Sequence, residues 1–168
     1  MQEFCSHYLS DVKETYNLVP ESLSHHLRLS DYILELNADA RILNLLSAQS
    51  PHILAQQQFT RNEWAILTLI LQQYPGYASH EMLLAELTSL SEAECRHRLL
   101  ESQQIGPEAV KREFRPVYRA LAGIRAKLNK LCPQLKISLL RCSGYVIMLA
   151  PDWEDATDQT LLSGKLSR

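Results

Sequence analysis

A chain of 168 residues, 46% of them hydrophobic, can bury one sizeable core but is too short for two full-sized domains, so one domain with a short accessory segment is expected. Its 17 Lys and Arg against 19 Asp and Glu give a formal net charge of −2, which excludes a polycation that grips its partner over its whole surface. Met1 is followed by Gln2, Glu3 and Phe4, not by a basic and then apolar leader, and the longest apolar run, Trp64 to Leu71, falls far short of the roughly 20 residues that span a bilayer. No signal peptide and no membrane anchor are expected, and a cytoplasmic location is.

The cysteines Cys5, Cys95, Cys132 and Cys142 are widely spaced and form no CxxC pair, which argues for a reducing compartment over a disulfide framework. Cys95 is close to His97, and His25 adjoins His26, but a structural zinc site needs four ligands in recognisable pairs, so no metal is expected. The sequence contains no GxSxG, Walker loop, HExxH or glycine-rich dinucleotide turn. Neither catalysis nor a cofactor is predicted.

In chain order, Phe4, Tyr8, Val12, Tyr16 and Val19 make one apolar helix stripe ending before Pro20, and a second short helix with Leu23 and Leu27 inward is expected after it. Together these form a helical arm over residues 1–30, suited to packing on the main domain or to dimerisation. From Tyr32 to Phe59 the pattern shortens into three β-leaning runs, starting at Tyr32, Arg41 and His52 and separated by turn-rich residues, which predicts an antiparallel meander. Thr60-Arg-Asn-Glu63 is a capping box with Phe59 and Trp64 at the staple positions, and the helix it opens runs to Tyr74 before Pro75-Gly76. Ser79 opens a second helix after a tight link, with Met82, Leu83 and Leu87, and Ser91-Glu-Ala-Glu94 is a second capping box that opens a third, holding Cys95, Leu99 and Leu100.

A short helical piece with Val110 and Phe114 is predicted after Gly106-Pro107, and Pro116 suits the first turn of the helix that follows. In that helix Val117, Leu121, Ile124, Leu128 and Leu131 step by four and three and form one buried stripe. Two β-like runs, Lys136 to Leu140 and Tyr145 to Leu149, then make a hairpin through Arg141-Cys-Ser-Gly144, with Tyr145 expected as a core plug at its base. A polar tail occupies 151–168. Between Lys111 and Arg141 there are nine basic residues and one acid, Glu113, a local charge of +8 in an otherwise acidic chain. A solvated helix face is the ordinary explanation of such a run; here it falls on an amphipathic helix followed by a hairpin.

Phe59-Thr-Arg-Asn-Glu-Trp-Ala-Ile-Leu resembles the first helix of the OmpR/PhoB-type winged helix-turn-helix effector domain. Val117-Tyr-Arg-Ala-Leu-Ala-Gly-Ile-Arg-Ala-Lys-Leu128 resembles its recognition helix, and Ile137-Ser-Leu-Leu-Arg-Cys-Ser-Gly-Tyr145 its wing. The likeness covers residues 31–150 and implies an α+β fold with an N-terminal antiparallel sheet and a C-terminal hairpin wing. It also implies a bacterial transcriptional regulator that binds double-stranded DNA, with the helix at 116–131 in the major groove and the wing at 136–149 on the adjacent backbone; with the helical arm as a pairing element, a homodimer is expected. Arg115, Tyr118, Arg119, Arg125, Lys127, Lys130 and Arg141 are the expected DNA contacts, with Tyr118, Arg119 and Gly123 toward the groove floor.

Three features depart from that family. Only about thirty residues precede the expected sheet, where response regulators carry a receiver domain, so aspartate phosphorylation is not expected. The stretch 88–115 holds an extra helix where the family's loop contacts RNA polymerase, so this segment is expected to meet polymerase or another regulator. Ala120, Ala122, Gly123 and Ala126 replace larger polar residues, which leaves as the rival function a protein-interaction module that no longer reads DNA. An interior helical glycine costs about 0.5 to 1 kcal/mol relative to alanine, so Gly123 implies a close backbone approach, either to DNA or to a neighbouring helix.

Overall fold

The computed structural model describes residues 26–28, 31–50, 52–141 and 143–149. The helix stripe expected from Phe4 to Val19 and the polar tail lie outside them. Over the described residues the fold is α+β, with four helices and two small antiparallel sheets, and the contacts cluster into two compact units that divide between Gln58 and Phe59.

The first unit is a four-stranded sheet in sequential order, β1 (His26–Arg28), β2 (Tyr32–Asn37), β3 (Ile42–Ser47) and β4 (Ile53–Gln58). The three expected runs are its last three strands. The expected short helix around Leu27 is corrected to a strand: Leu27 pairs with Leu34, because the free edge of β2 offers an extended segment a row of backbone partners that an isolated turn of helix lacks. The turn between β2 and β3 is held by Asn37, whose Oδ1 accepts from the Ala40 N–H at 3.0 Å, and by Arg41 in the left-handed region at φ 53°. Leu34 and Leu43 are fully buried. Directly paired across β2 and β3, Asn44 donates to the Glu35 carboxylate at 2.8 Å.

The second unit packs four helices on a three-stranded sheet. Helix α1 (Arg61–Gln72) begins at the expected capping box and ends two residues before Tyr74. Strand β5 (Ala78–Ser79) follows, and Ser79 also caps α2 (His80–Leu87) by accepting from the Met82 N–H. Helix α3 (Glu92–Ile105) starts at the second capping box, and α4 (Pro107–Leu131) leads into the hairpin β6 (Leu135–Leu140) and β7 (Gly144–Leu149). The sheet order is β5-β7-β6. Gly144 has φ 155°, and a Cβ there would stand 2.8 Å from the Ala78 carbonyl carbon, so a glycine is what lets β5 lie against the start of β7.

The separate helical piece and the helix start at Pro116 are corrected: α4 runs unbroken through Pro116, which is exposed inside the helix. Its ring forfeits one backbone hydrogen bond, yet Phe114, Val117, Leu121, Ile124, Leu128 and Leu131 on either side form one buried face, and that burial holds the two segments in register. Ile66, Leu67 and Ile70 of α1, Leu83 and Leu84 of α2, Cys95 and Leu99 of α3, and Ile137, Tyr145 and Ile147 of the hairpin complete the core. Leu100, on α3 as expected, is half exposed.

Candidate nucleic-acid interface

With the apolar face of α4 inward, helix geometry fixes what faces out. At 3.6 residues per turn, Arg112, Arg115, Arg119, Ala122, Ala126 and Lys130 fall within an arc of about 80° opposite the core. All six are exposed, and the strip carries four cations; Glu108, in the same arc at the start of α4, is ion-paired with Lys111. Arg112, Arg115, Arg119 and Lys130 have no acidic partner among the described residues, and neither has Arg141 at the hairpin turn, whose carbonyl accepts from the Ser143 hydroxyl at 3.4 Å. Of the sequence-predicted contacts, the fold thus brings Arg115, Arg119 and Lys130 onto one strip and leaves Arg141 on the hairpin. Arg112 belongs to the same strip, three residues before Arg115, and was hidden by the expected break at Pro116.

The remaining predicted contacts are engaged inside the unit. Lys127 is ion-paired with Glu63 of α1 and sits 5.3 Å above the Phe59 ring; its side chain is only 26% exposed. Glu63 also receives the Thr60 N–H at 2.7 Å. Burial pushes the Glu63 carboxyl upward, but the bonds from Lys127 and Thr60 outweigh it and hold the carboxyl below its ordinary range. Arg125 donates Nε–H to the Ile137 carbonyl at 3.1 Å and lies 5.6 Å over the Tyr145 ring, tying α4 to the hairpin. Tyr118 stands edge-on to Phe114 at 5.0 Å, its ring half exposed beside the strip.

Gly123 does not face a groove floor. A Cβ built there would run into the Glu63 carboxylate, with Cδ at 3.0 Å and Cγ at 3.4 Å, so the close approach implied by an interior glycine is the one between α4 and α1. Ala120 is buried, while Ala122 and Ala126 leave a shallow, smooth stretch between Arg119 and Lys130.

Other charges of the unit are paired. Arg96 meets Glu81 at 3.1 Å, Arg98 meets Glu113 at 2.7 Å, and Lys111 meets Glu108 at 2.7 Å. Of the nine basic residues behind the local excess of +8, four lie on the outward strip of α4 and Arg141 lies at the hairpin turn. His80 packs edge-on to Phe114 at 5.2 Å and Tyr145 at 5.9 Å, and burial lowers its pKa despite the nearby Glu81 carboxylate.

No family model, curated protein or solved structure matches this chain. Its chemistry has to be read from its own residues. Among the described residues no three His, Cys, Asp or Glu side chains gather as a metal site, and no helix is long and apolar enough to cross a membrane. Cys95 and Cys132 are buried, and His97 pairs with Glu101 at 3.2 Å.

Proposed function

We propose that this protein is a DNA-binding transcriptional regulator of the winged helix-turn-helix kind, with the Pro116–Leu131 half of α4 in the major groove and the β6–β7 hairpin on the neighbouring backbone. The observation that carries the reading is the outward strip of α4: four exposed cations without acidic partners among the described residues, on a helix backed by the core and flanked by a hairpin with Arg141 at its turn. A polyanion with a groove is the partner that such a strip complements. The order α1, β5, α2, α3, α4 and hairpin supports it as well, since a helix pair joined by a short link positions the long helix at the surface. Because Ala122 and Ala126 offer no hydrogen-bonding groups, backbone contacts dominate over base readout.

The test is duplex binding over a salt series, on random sequence and on the protein's own promoter region. Arg119→Ala and Arg141→Ala are each expected to weaken binding and to reduce the log–log salt slope by about 0.9, while Arg125→Ala chiefly lowers stability. Absence of binding at low salt refutes the reading.

A second reading, a module that docks on another protein through 88–115, is favoured by one observation. Leu100 and Ile105 of α3 are 51% and 76% exposed, on a helix whose polar neighbours are paired with α2 and α4. A pull-down that requires those two side chains and persists without DNA would select it.

A further inference from the structure

We propose that the cleft between the N-terminus of α1 and the arginines of α4 is a phosphate seat, taking a backbone phosphate of bound DNA where the recognition half of the helix begins; this rests on the DNA reading. The cleft has a volume of about 490 Å³ and is lined by Thr60, Asn62 and Glu63 of the α1 start and by Arg112, Arg115 and Arg119 of α4. Spaced by three and four, the three arginines come from successive turns of one helix face, and none has an acidic partner among the described residues. A planar guanidinium presents paired N–H donors that match phosphate oxygens.

The only carboxylate in the lining, Glu63, is already neutralised by Lys127 and the Thr60 N–H, so it does not compete for the arginines. The capping box uses the Thr60 and Glu63 N–H groups and leaves the first-turn donors of Arg61 and Asn62 without a partner among the described residues, adding a positive helix end to the cleft. Three guanidiniums, an amide and a helix start around one opening exceed what a carboxylate needs and fit a phosphate diester. Arg115 and Arg119 belong both to the outward strip and to the cleft, so a duplex lying along the strip carries its backbone to the opening, where Arg112 and Asn62 extend the contact.

The test uses Arg112→Gln and Asn62→Asp in the full chain. Asp in the first turn suits the helix dipole, so Asn62→Asp keeps α1 capped while placing a negative charge in the cleft. Duplex binding is measured over a salt series, and pyrophosphate is titrated while the amide signals of Asn62 and Arg112 are followed by NMR. The expected result is weaker duplex binding in both variants, a salt slope about 0.9 smaller in Arg112→Gln, and pyrophosphate shifts at Asn62 that vanish in Arg112→Gln. Wild-type duplex binding that neither variant changes, with no response to pyrophosphate, overturns the seat and leaves the DNA reading standing. A wild type that ignores duplex but shows the pyrophosphate shifts overturns the DNA reading and keeps the seat, as a site for a free phosphate compound. No response to either ligand overturns both.

Discussion

Replacing Gly123 by alanine tests the contact between α1 and α4 directly. On an isolated helix the change is favourable by about 0.5 to 1 kcal/mol. Here the new methyl group collides with the Glu63 carboxylate, with Cδ 3.0 Å from its carbon, and the side chain has to swing out of the hydrogen bond from the Thr60 N–H and away from Lys127. Hydrogen bonds to charged groups contribute about 1.5 to 3 kcal/mol each, but the displaced carboxylate and the Lys127 ammonium, already 26% exposed, recover part of that from water. The expected net loss is about 1 to 2 kcal/mol, read as a lower urea midpoint at unchanged m-value. In a Glu63→Ala background the obstructing atoms are gone, so Gly123→Ala should then stabilise by its helix-propensity gain, giving a coupling of about 2 kcal/mol in the double-mutant cycle. Equal effects of Gly123→Ala in both backgrounds, within about 0.5 kcal/mol, would show that Glu63 is not what the glycine accommodates.

Other consequences are equally direct. Gly144→Ala combines a positive φ with a Cβ 2.8 Å from the Ala78 carbonyl carbon, and should lower stability by about 2 kcal/mol or more in urea unfolding. Pro116→Ala restores a backbone donor inside α4 at an exposed position, and should raise the urea midpoint by the equivalent of about 1 to 2 kcal/mol. Because the folded pKa of Glu63 is depressed, its stabilisation is fully present above the ordinary Glu value of about 4.3 and lost as pH falls through the folded value. The stability gap between wild type and Glu63→Gln should therefore shrink on acidification below about pH 4.3. His80 is also held below its ordinary pKa, so the unfolded chain takes up its proton first, and folding weakens as pH drops below about 6.5. His80→Phe should remove that part of the pH dependence of the urea midpoint.

What was legible in the sequence was local. Thr60 with Glu63, and Ser91 with Glu94, announce helix starts because the cap needs only residues three apart, and both boxes are present. The stripe from Val117 to Leu131 is legible for the same reason, and all five of its residues are buried. Tyr145 is buried at the base of the hairpin, as a large ring after a glycine suggests. Long-range contacts were not legible. Strand β5 has two residues and exists because Gly144 admits it beside β7, and the Glu63–Lys127 pair joins positions 64 residues apart. Pro116 misled because a proline suits a first helical turn as well as it suits an exposed face of a helix held by its buried side.

The division of the basic residues explains why charge counting alone could not define the surface. Lys127 and Arg125 sit amid the recognition stretch, yet Lys127 secures α4 to α1 and Arg125 secures it to the hairpin. Those two attachments fix the rotation of α4 about its own axis, and that rotation turns Arg112, Arg115, Arg119 and Lys130 into one strip. Breaking either attachment should therefore disturb binding by reorienting the strip, without removing one of its charges. Loss of the Arg125 tie to the Ile137 carbonyl through Arg125→Lys is the sharper case, since it keeps the net charge and leaves every arginine of the cleft in place. It should weaken duplex binding with the salt slope unchanged, whereas removal of a phosphate contact lowers the slope. A lower slope in Arg125→Lys would mean that Arg125 does more than hold the helix in rotation.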